Sequence, residues 1–185
     1  MGQYYKPIIL AEKEGEDEKI LSWVYSHELG SGLKLMEHSW RKNPFVQAFE
    51  TLIADNPQRV VWAGDYADNE PNRKEIHEGK EYLQVEANLY DLCEDDTKVS
   101  PKARRKEYRY IINHTQNAFV DKRKGIDVDG WQIHPLPLLT CEGNGRGGGD
   151  FRGTSSLVGI WARDYISVSD TKPQDCQELM FKVTE

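Results

Sequence analysis

Residues 43–65 of this 185-residue chain read NPFVQAFETLIADNPQRVVWAGD, a stretch that predicts a helix leading directly into a buried strand. Asn43 can cap the helix, because its side-chain oxygen can accept a bond from a free backbone N–H of the first turn, and a proline suits the first helical position. Apolar side chains recur at helical spacing over 44–54 and should face a core. After an Asn-Pro pair that ends the helix, the apolar run 59–63 is typical of a buried strand.

The rest of the chain contains short runs of aromatic and β-branched residues. These runs predict strands at 4–10, 20–25, 109–113, 118–121, 157–161, 165–168 and 178–183. Residues 101–121 allow two interpretations, a short helix from Pro101 followed by two strands or one continuous helix. Pro135 and Pro137 predict extended backbone, since a residue that precedes proline avoids the helical region. Strands outnumber helices without regular alternation, so the sequence predicts one α+β domain, 1–185, with a mainly antiparallel sheet, one clear helix at about 44–54 and room for a second short helix.

Composition restricts the class of protein. The chain has 24 Lys and Arg against 31 Asp and Glu, a formal charge of −7, and no apolar run approaches the roughly 18 residues of a membrane span. Its three cysteines cannot all pair in disulfides and show no Cys-x-x-Cys spacing, and Cys141 follows an apolar run, as packed thiols often do. We therefore expect a cytoplasmic protein that needs no structural metal or cofactor and has no membrane partner.

The most unusual segment is 143–150, which reads GNGRGGGD. Glycines at this density let backbone N–H groups converge on a ligand, although they also suit a mobile connection between strands. The literal G-x-G-x-x-G match lacks the helix that a dinucleotide site needs, and no Walker lysine follows. Arg146 and Arg152 could add charged donors to the loop. The leading hypothesis is an accessory binding protein that holds an anionic small molecule or a partner's carboxylate through Asn144, Gly145, Arg146, Gly147, Gly148, Gly149 and Asp150.

A second hypothesis is an enzyme, a hydrolase or transferase that uses a His/Asp pair. A histidine whose ring is oriented by a carboxylate can act as a general base, and the candidates are His38, Asp65 and His114. Acids and imidazoles could also bind a divalent metal, but no H-E-x-x-H or calcium-loop pattern places them together, so no metal site is assigned. These residues leave open whether the chain is an enzyme.

The 98–124 segment carries a charge of +7, which leaves −14 on the rest of the chain. Tyr108 and Tyr110 lie among its basic residues, and basic groups with aromatics can neutralise phosphates and stack on bases. A solvated amphipathic face explains the same pattern, and the acidic remainder would repel a long polyanion. Nucleic acid is therefore kept only as an alternative partner.

Several blocks of the sequence resemble a family of uncharacterised bacterial proteins found in phages and mobile elements. The blocks are the MGQYY start, LMEHS at 35–39, WAGDYAD at 62–68, NHT at 113–115, and LPLLT at 136–140 leading into GNGRGGGD at 143–150. The resemblance covers most of the chain and implies a shared fold and a mobile-element origin. It implies no activity, cofactor or catalytic residue.

Overall fold

The computed structural model describes residues 3–15, 17–54, 56–71, 75–82, 86–102, 106–125, 127–128, 130–144, 151 and 156–182. The strands in these residues are β1 (Tyr5–Leu10), β2 (Ile20–Trp23), β3 (Gln58–Gly64), β4 (Glu75–His77), β5 (Lys80–Tyr82), β6 (Tyr110–Asn113), β7 (Ala118–Asp121), β8 (Asp127–Val128), β9 (Trp131–Gln132), β10 (Cys141–Glu142), β11 (Tyr165–Ser169) and β12 (Gln177–Glu178). The helices are α1 (Leu35–His38), α2 (Pro44–Leu52) and α3 (Pro135–Thr140). This content confirms the predicted α+β class with one firm helix. No helix in the described residues is long and apolar enough to cross a membrane.

Eight of the described strands form one sheet in the order β12-β7-β6-β11-β3-β1-β2, with β10 as an additional partner of β3. Most neighbours are antiparallel, whereas β10–β3 and β12–β7 are parallel. Gln58 and Arg59 of β3 pair with β11, but Trp62 and Ala63 pair with β10. The sheet therefore forks at β3, and this fork positions the candidate site. The structure confirms, within one or two residues at either end, the strands predicted at 4–10, 20–25, 59–63, 109–113, 118–121 and 165–168.

Helix α2 packs on the sheet through the apolar face that the sequence predicts. Asn43 Oδ1 accepts bonds from two backbone N–H groups of the first turn at 2.9 and 3.3 Å, which confirms the cap. The ring of Phe49 lies 5.0 Å, centroid to centroid, from that of Trp62 on β3, and both side chains are fully buried. The helix ends at Leu52, two residues before the predicted end.

Helix α3 lies where the two prolines predict extended backbone, so that prediction is wrong. His134 keeps the extended conformation that proline favours in its predecessor, with ψ at 116°, and its Nδ1 accepts a bond from the backbone N–H of Leu136 at 3.2 Å. Pro135 and Pro137 fall in the first turn, where backbone N–H groups have no partner within the helix. Burial of all six residues then favours this short helix.

Two predicted strands and one alternative helix also differ from the structure. Residues 157–161 form turns, because Gly159 adopts a left-handed φ of 74° and the N–H groups of Gly159 and Trp161 donate to carbonyls of α3 at 2.8 Å. Within the predicted strand 178–183, β12 includes only Glu178, and 179–182 are not strand. A continuous helix over 101–121 is excluded, since β6 and β7 pair as an antiparallel hairpin. The short helix predicted from Pro101 falls partly on 103–105, outside the described residues.

Candidate functional site

A cleft of about 500 Å³ opens where the sheet forks. Three segments line it: 68–71 beyond the end of β3, 141–143 at β10, and 159–163 in the turns before β11. The structure brings Asp68, the last residue of the WAGDYAD block, and Gly143, the first residue of the glycine-rich segment, into one cleft. Its lining residues are Asp68, Asn69, Glu70, Pro71, Cys141, Glu142, Gly143, Gly159, Ile160, Ala162 and Arg163.

The wall formed by 68–71 is fixed by hydrogen bonds to two other parts of the chain. Asp65 Oδ1 accepts a bond from the backbone N–H of Tyr4 at 3.0 Å, which ties the end of β3 to β1. The side-chain amide of Asn88 donates to the carbonyls of Asp65 and Ala67 at 3.1 and 3.3 Å. Asp65, predicted as the partner of a catalytic histidine, thus anchors the loop in this structure. The N–H of Glu70 donates to a carbonyl of the 86–88 segment at 2.9 Å.

The opposite strand, β10, approaches β3 closely because position 64 has no side chain. A Cβ on Gly64 would lie 2.9 Å from the backbone oxygen of Glu142 and 3.0 Å from the ring of Tyr5. Both atoms belong to ordered strands that cannot easily move apart. Gly64 therefore lets β10 carry Glu142 and Gly143 into the cleft.

Arg163 lies between the two acidic walls of the cleft. Its Nε and Nη2 donate to Glu142 at 2.7 and 2.8 Å, and its Nη1 and Nη2 donate to Glu70 at 3.0 and 2.5 Å. Nη1 also lies 3.5 Å from Glu18 Oε1. Four of these contacts are hydrogen bonds and the fifth is an ion pair, so the guanidinium is bonded to both acidic walls. Bonds to Glu142 and Glu70 outweigh burial and raise the pKa of Arg163 above its usual value.

The backbone of Arg163 is held in a conformation that non-glycine residues rarely adopt. Its φ is 67°, in the left-handed region, and its N–H donates to the carbonyl of Val60 on β3 at 2.7 Å. The chain tolerates this local strain because the side chain is clamped by two carboxylates. The turn thereby delivers the guanidinium to a fixed place beside the fork.

A second arginine next to the cleft, Arg59, is also bonded mainly within the protein. Arg59 donates to both oxygens of Glu18 at 2.8 and 2.9 Å, and to the carbonyls of Ala11 and Arg163 at 2.8 and 3.3 Å. The bonds from Arg59 hold the pKa of Glu18 below its usual range. Four of the five N–H groups of each arginine thus donate within the protein.

The net charge of the residues that line the cleft is negative. Among the lining residues that ionise at neutral pH, three carboxylates stand against one guanidinium, which leaves a formal charge of −2. Asp68 is exposed and has no hydrogen-bond or ion-pair partner among the described residues. Within the part of the chain that the structure describes, the cleft has a spare carboxylate and no spare cation.

The predicted anion loop lies mostly outside the described residues. Asn144 is exposed and follows Gly143 directly at the rim of the cleft, whereas 145–150 and Arg152 are not described. The anion-binding hypothesis for Asn144–Asp150 therefore stays a prediction.

His38 does not meet Asp65. Its Nε2 accepts a bond from Trp62 Nε1 at 2.9 Å, so its Nδ1 carries the proton and donates to the carbonyl of Gly32 at 3.0 Å. The side chain is fully buried, and burial lowers its pKa to about 4. Both ring nitrogens are used in the core, and neither faces the cleft.

His114 forms a contact that the sequence analysis missed. Its Nε2 lies 2.7 Å from Ser167 Oγ of β11, and burial lowers the pKa of this imidazole. Neither residue lines the cleft. The pair could not be found from spacing, because 53 positions separate its members and only the pairing of β6 with β11 brings them together.

A buried charged cluster was also missed. Glu50 Oε1 of α2 accepts bonds from Lys122 Nζ at 2.5 Å and from His134 Nε2 at 3.1 Å. His134 Nδ1 accepts the α3 cap bond, so its Nε2 carries the proton. Burial and the nearby Lys122 lower the pKa of His134, whereas His134 and Lys122 hold the pKa of Glu50 below its usual range despite burial. The cluster is thus a Glu⁻/Lys⁺ pair beside a neutral imidazole.

Most of the basic charge on 98–124 is paired within the protein. Seven of its nine basic residues are described, and five of these contact carboxylates: Lys98, Lys106, Arg109, Lys122 and Lys124. A phosphate backbone would have to compete with these carboxylates. The described contacts therefore give the nucleic-acid alternative no free basic face.

The described residues include no group of three or more His, Cys, Asp or Glu that could hold a metal ion. Comparison of the chain with protein-family models, with curated proteins and with solved structures finds no match. The family resemblance carried by the sequence blocks stays a prediction. Function has to be argued from the geometry alone.

Proposed function

We propose that the protein is a binding protein for a small polar molecule, and that the ligand lies in the cleft at the fork of the sheet. The cleft itself carries this proposal. Ligand sites are concave, usually about 300–1,000 Å³, and place a few polar groups against apolar surface. The cleft, at about 500 Å³, falls within that range and combines carboxylates and an amide with Ile160 and Ala162.

The rigidity of the walls supports binding. Glu142 stands on a strand, and the loop of Glu70 is bonded to the 86–88 segment. Arg163 then ties the two side chains together through four hydrogen bonds. Walls that are ordered before a ligand arrives reduce the entropy that binding loses.

The glycine-rich segment begins at the cleft, since Gly143 lines it and the exposed Asn144 follows directly. An anionic ligand would depend on Arg146, which lies outside the described residues. The described walls do not require the ligand to be an anion.

Thermal unfolding with a ligand panel tests the proposal. L-arginine, spermidine, glucose and AMP would each be added to the wild-type protein and to Asn69→Trp, which places an indole at the exposed mouth of the cleft. A ligand at about 100 times its Kd adds about 2.7 kcal/mol, or several degrees of Tm. We expect at least one compound to raise the Tm of the wild type and of Asn56→Trp, an exposed control outside the cleft, but not that of Asn69→Trp. A panel without any shift, or a shift that survives in Asn69→Trp, would refute the proposal.

A second candidate function, ester hydrolysis, is favoured by the contact between His114 and Ser167. Ser167 Oγ would attack the ester carbonyl while His114 Nε2 takes its proton, the alcohol would leave with that proton, and water would then release the acid. Labelling by a fluorophosphonate tests this. Labelling of the wild type and Ser169→Ala, with loss in Ser167→Ala and His114→Gln, would support a hydrolase, whereas an unlabelled wild type would exclude it.

A further inference from the structure

We propose that the cleft selects a small molecule whose alkyl chain carries a guanidinium or ammonium group, an inference that rests on the binding function proposed above. The class of ligand follows from which charged groups are already paired with one another within the protein. Two arginines and three glutamates meet beside the fork, and their mutual bonds decide what is left for a ligand.

The arginines beside the fork are already bonded within the protein. Arg163 donates four hydrogen bonds to Glu70 and Glu142, and Arg59 is bonded to Glu18 and to two backbone carbonyls. An anion would have to displace one of these carboxylates, which would then stay partly buried without a partner. Such a displaced charge is strongly unfavourable. The described walls of the cleft therefore favour a cation over an anion.

Two carboxylates of the cleft remain accessible to a ligand. Glu70 is nearly inaccessible, with 6% of its side chain exposed, but 26% of the Glu142 side chain is exposed at the cleft. Each Glu142 oxygen accepts one bond from Arg163 and keeps a second lone pair. Asp68 adds an exposed carboxylate with no partner among the described residues. Glu142 and Asp68 can thus accept N–H groups of a ligand.

Part of the cleft lining is apolar. Pro71, Ile160 and Ala162 expose carbon surface in the same cleft as the two carboxylates. A bare metal ion or a sugar would gain nothing from that surface, whereas the methylene chain of an alkylamine or alkylguanidine would bury area against it. The combination of spare carboxylates and apolar surface is the feature that a cationic alkyl ligand fits.

Calorimetric titration of agmatine, putrescine and butylguanidine into the full chain tests the inference, with glucose and AMP as neutral and anionic comparisons. We expect the cations to bind more tightly than glucose or AMP, and their affinity to fall as salt is raised, because the contact is electrostatic. Asp68→Asn should weaken agmatine by roughly tenfold, as expected when a charge-assisted hydrogen bond is lost. Asp96→Asn removes the same charge from an exposed turn outside the cleft and should change the Kd less than about twofold.

Glu142→Gln provides a second variant, since it keeps the shape of the side chain and removes its charge. It should weaken agmatine at least as much as Asp68→Asn, with circular dichroism verifying that the fold is retained. Binding of glucose or AMP that is blocked by Asn69→Trp and indifferent to Asp68→Asn would overturn the cationic class and leave the binding function standing. Absence of binding by every compound would refute both. Equal weakening of agmatine by Asp68→Asn and Asp96→Asn would also overturn the inference.

Discussion

Glu50 Oε1 lies 2.5 Å from Lys122 Nζ, and the two side chains are 0% and 1% exposed. The pair joins α2 to the turn after β7, and His134 adds the N-terminus of α3 to the same cluster. Glu50 Oε2 is buried without a hydrogen-bond partner among the described residues. Charges this deep in a protein are tolerated only as a unit, since either alone would be buried without compensation.

Removing one partner of this pair should therefore destabilise the protein far more than removing both. Lys122→Met leaves the Glu50 carboxylate buried and should lower the free energy of unfolding by about 3–5 kcal/mol. Glu50→Gln should have a similar effect by isolating Lys122. The double variant should lose clearly less than the sum of the single losses. Urea unfolding of the four proteins measures the coupling, and additive losses would show that the pair does not act as a unit.

Mild acid should destabilise the protein through its two buried histidines. Burial lowers the folded-state pKa of His38 to about 4 and also lowers the pKa of His134, whereas the imidazoles of the unfolded chain titrate near 6.5. As the pH falls below 6.5, these imidazoles bind protons in the unfolded chain but stay neutral in the folded protein. The free energy of unfolding therefore falls until the pH reaches the pKa of the folded state. For His38 the loss between pH 7 and pH 5 is about 2 kcal/mol.

Urea unfolding at pH 7, 6 and 5 measures this loss of stability. These pH values lie above about 4.5, below which protonation of Glu18 and Glu50 removes the stability that their carboxylates contribute. His38→Gln removes one of the histidines whose pKa is lowered by burial and should flatten the dependence, although it lowers stability at every pH. A wild-type midpoint that stays constant from pH 7 to pH 5 would contradict the neutral assignment of the buried imidazoles.

Gly64→Ala should disturb the fork of the sheet. The new Cβ would lie 2.9 Å from the backbone oxygen of Glu142, so β10 would have to move away from β3. Overpacking of this kind costs about 1–3 kcal/mol. Thermal unfolding measures the loss, and hydrogen exchange at Ala63 and Cys141 should rise while exchange in the β6–β7 hairpin stays unchanged. An equal rise in hydrogen exchange in both regions would show that the disturbance is not confined to the contact between β10 and β3.

The three cysteines should differ in reactivity. Cys141 is buried and its Sγ donates to the carbonyl of Leu138 at 3.3 Å, and burial raises the pKa of both Cys141 and Cys93 to about 12. Their thiolate forms are therefore scarce near neutral pH, whereas Cys176 lies partly exposed. Iodoacetamide at pH 8 should label Cys176 first in the native protein and all three after denaturation, as read by peptide mass spectrometry. Prompt native labelling of Cys141 would contradict its burial.

The sequence predicted those elements whose signals are local. Asn43, Pro44 and the spacing of Phe45 and Phe49 lie within a few residues of one another, and they correctly gave α2. The proline rule misled the prediction at 135–140, because it describes an isolated chain and cannot include burial of the entire α3 segment. Rules based on neighbouring residues failed where tertiary packing determines the backbone conformation.

The cleft could be predicted only in part, for a related reason. Asp68 and Gly143 belong to segments that stand out by composition, but Arg163 read only as a turn residue between two strands. Its role depends on Glu70 and Glu142, which are 93 and 21 positions away. Lys122 likewise looked like one solvated charge of a basic run until α2 brought Glu50 to it. Charge patterns along the chain do not reveal which opposite charge the fold supplies.

The fork at β3 also governs the order in which the chain can fold during synthesis. β3 leaves the ribosome before β10 and β11, the strands that cover one of its edges, because these come from residues 141–169. Until those residues emerge, the apolar strand containing Val60, Val61 and Trp62 has an unpaired edge that can pair with other nascent chains. Ribosome-bound intermediates of this protein should therefore depend on chaperones until β10 and β11 have been translated.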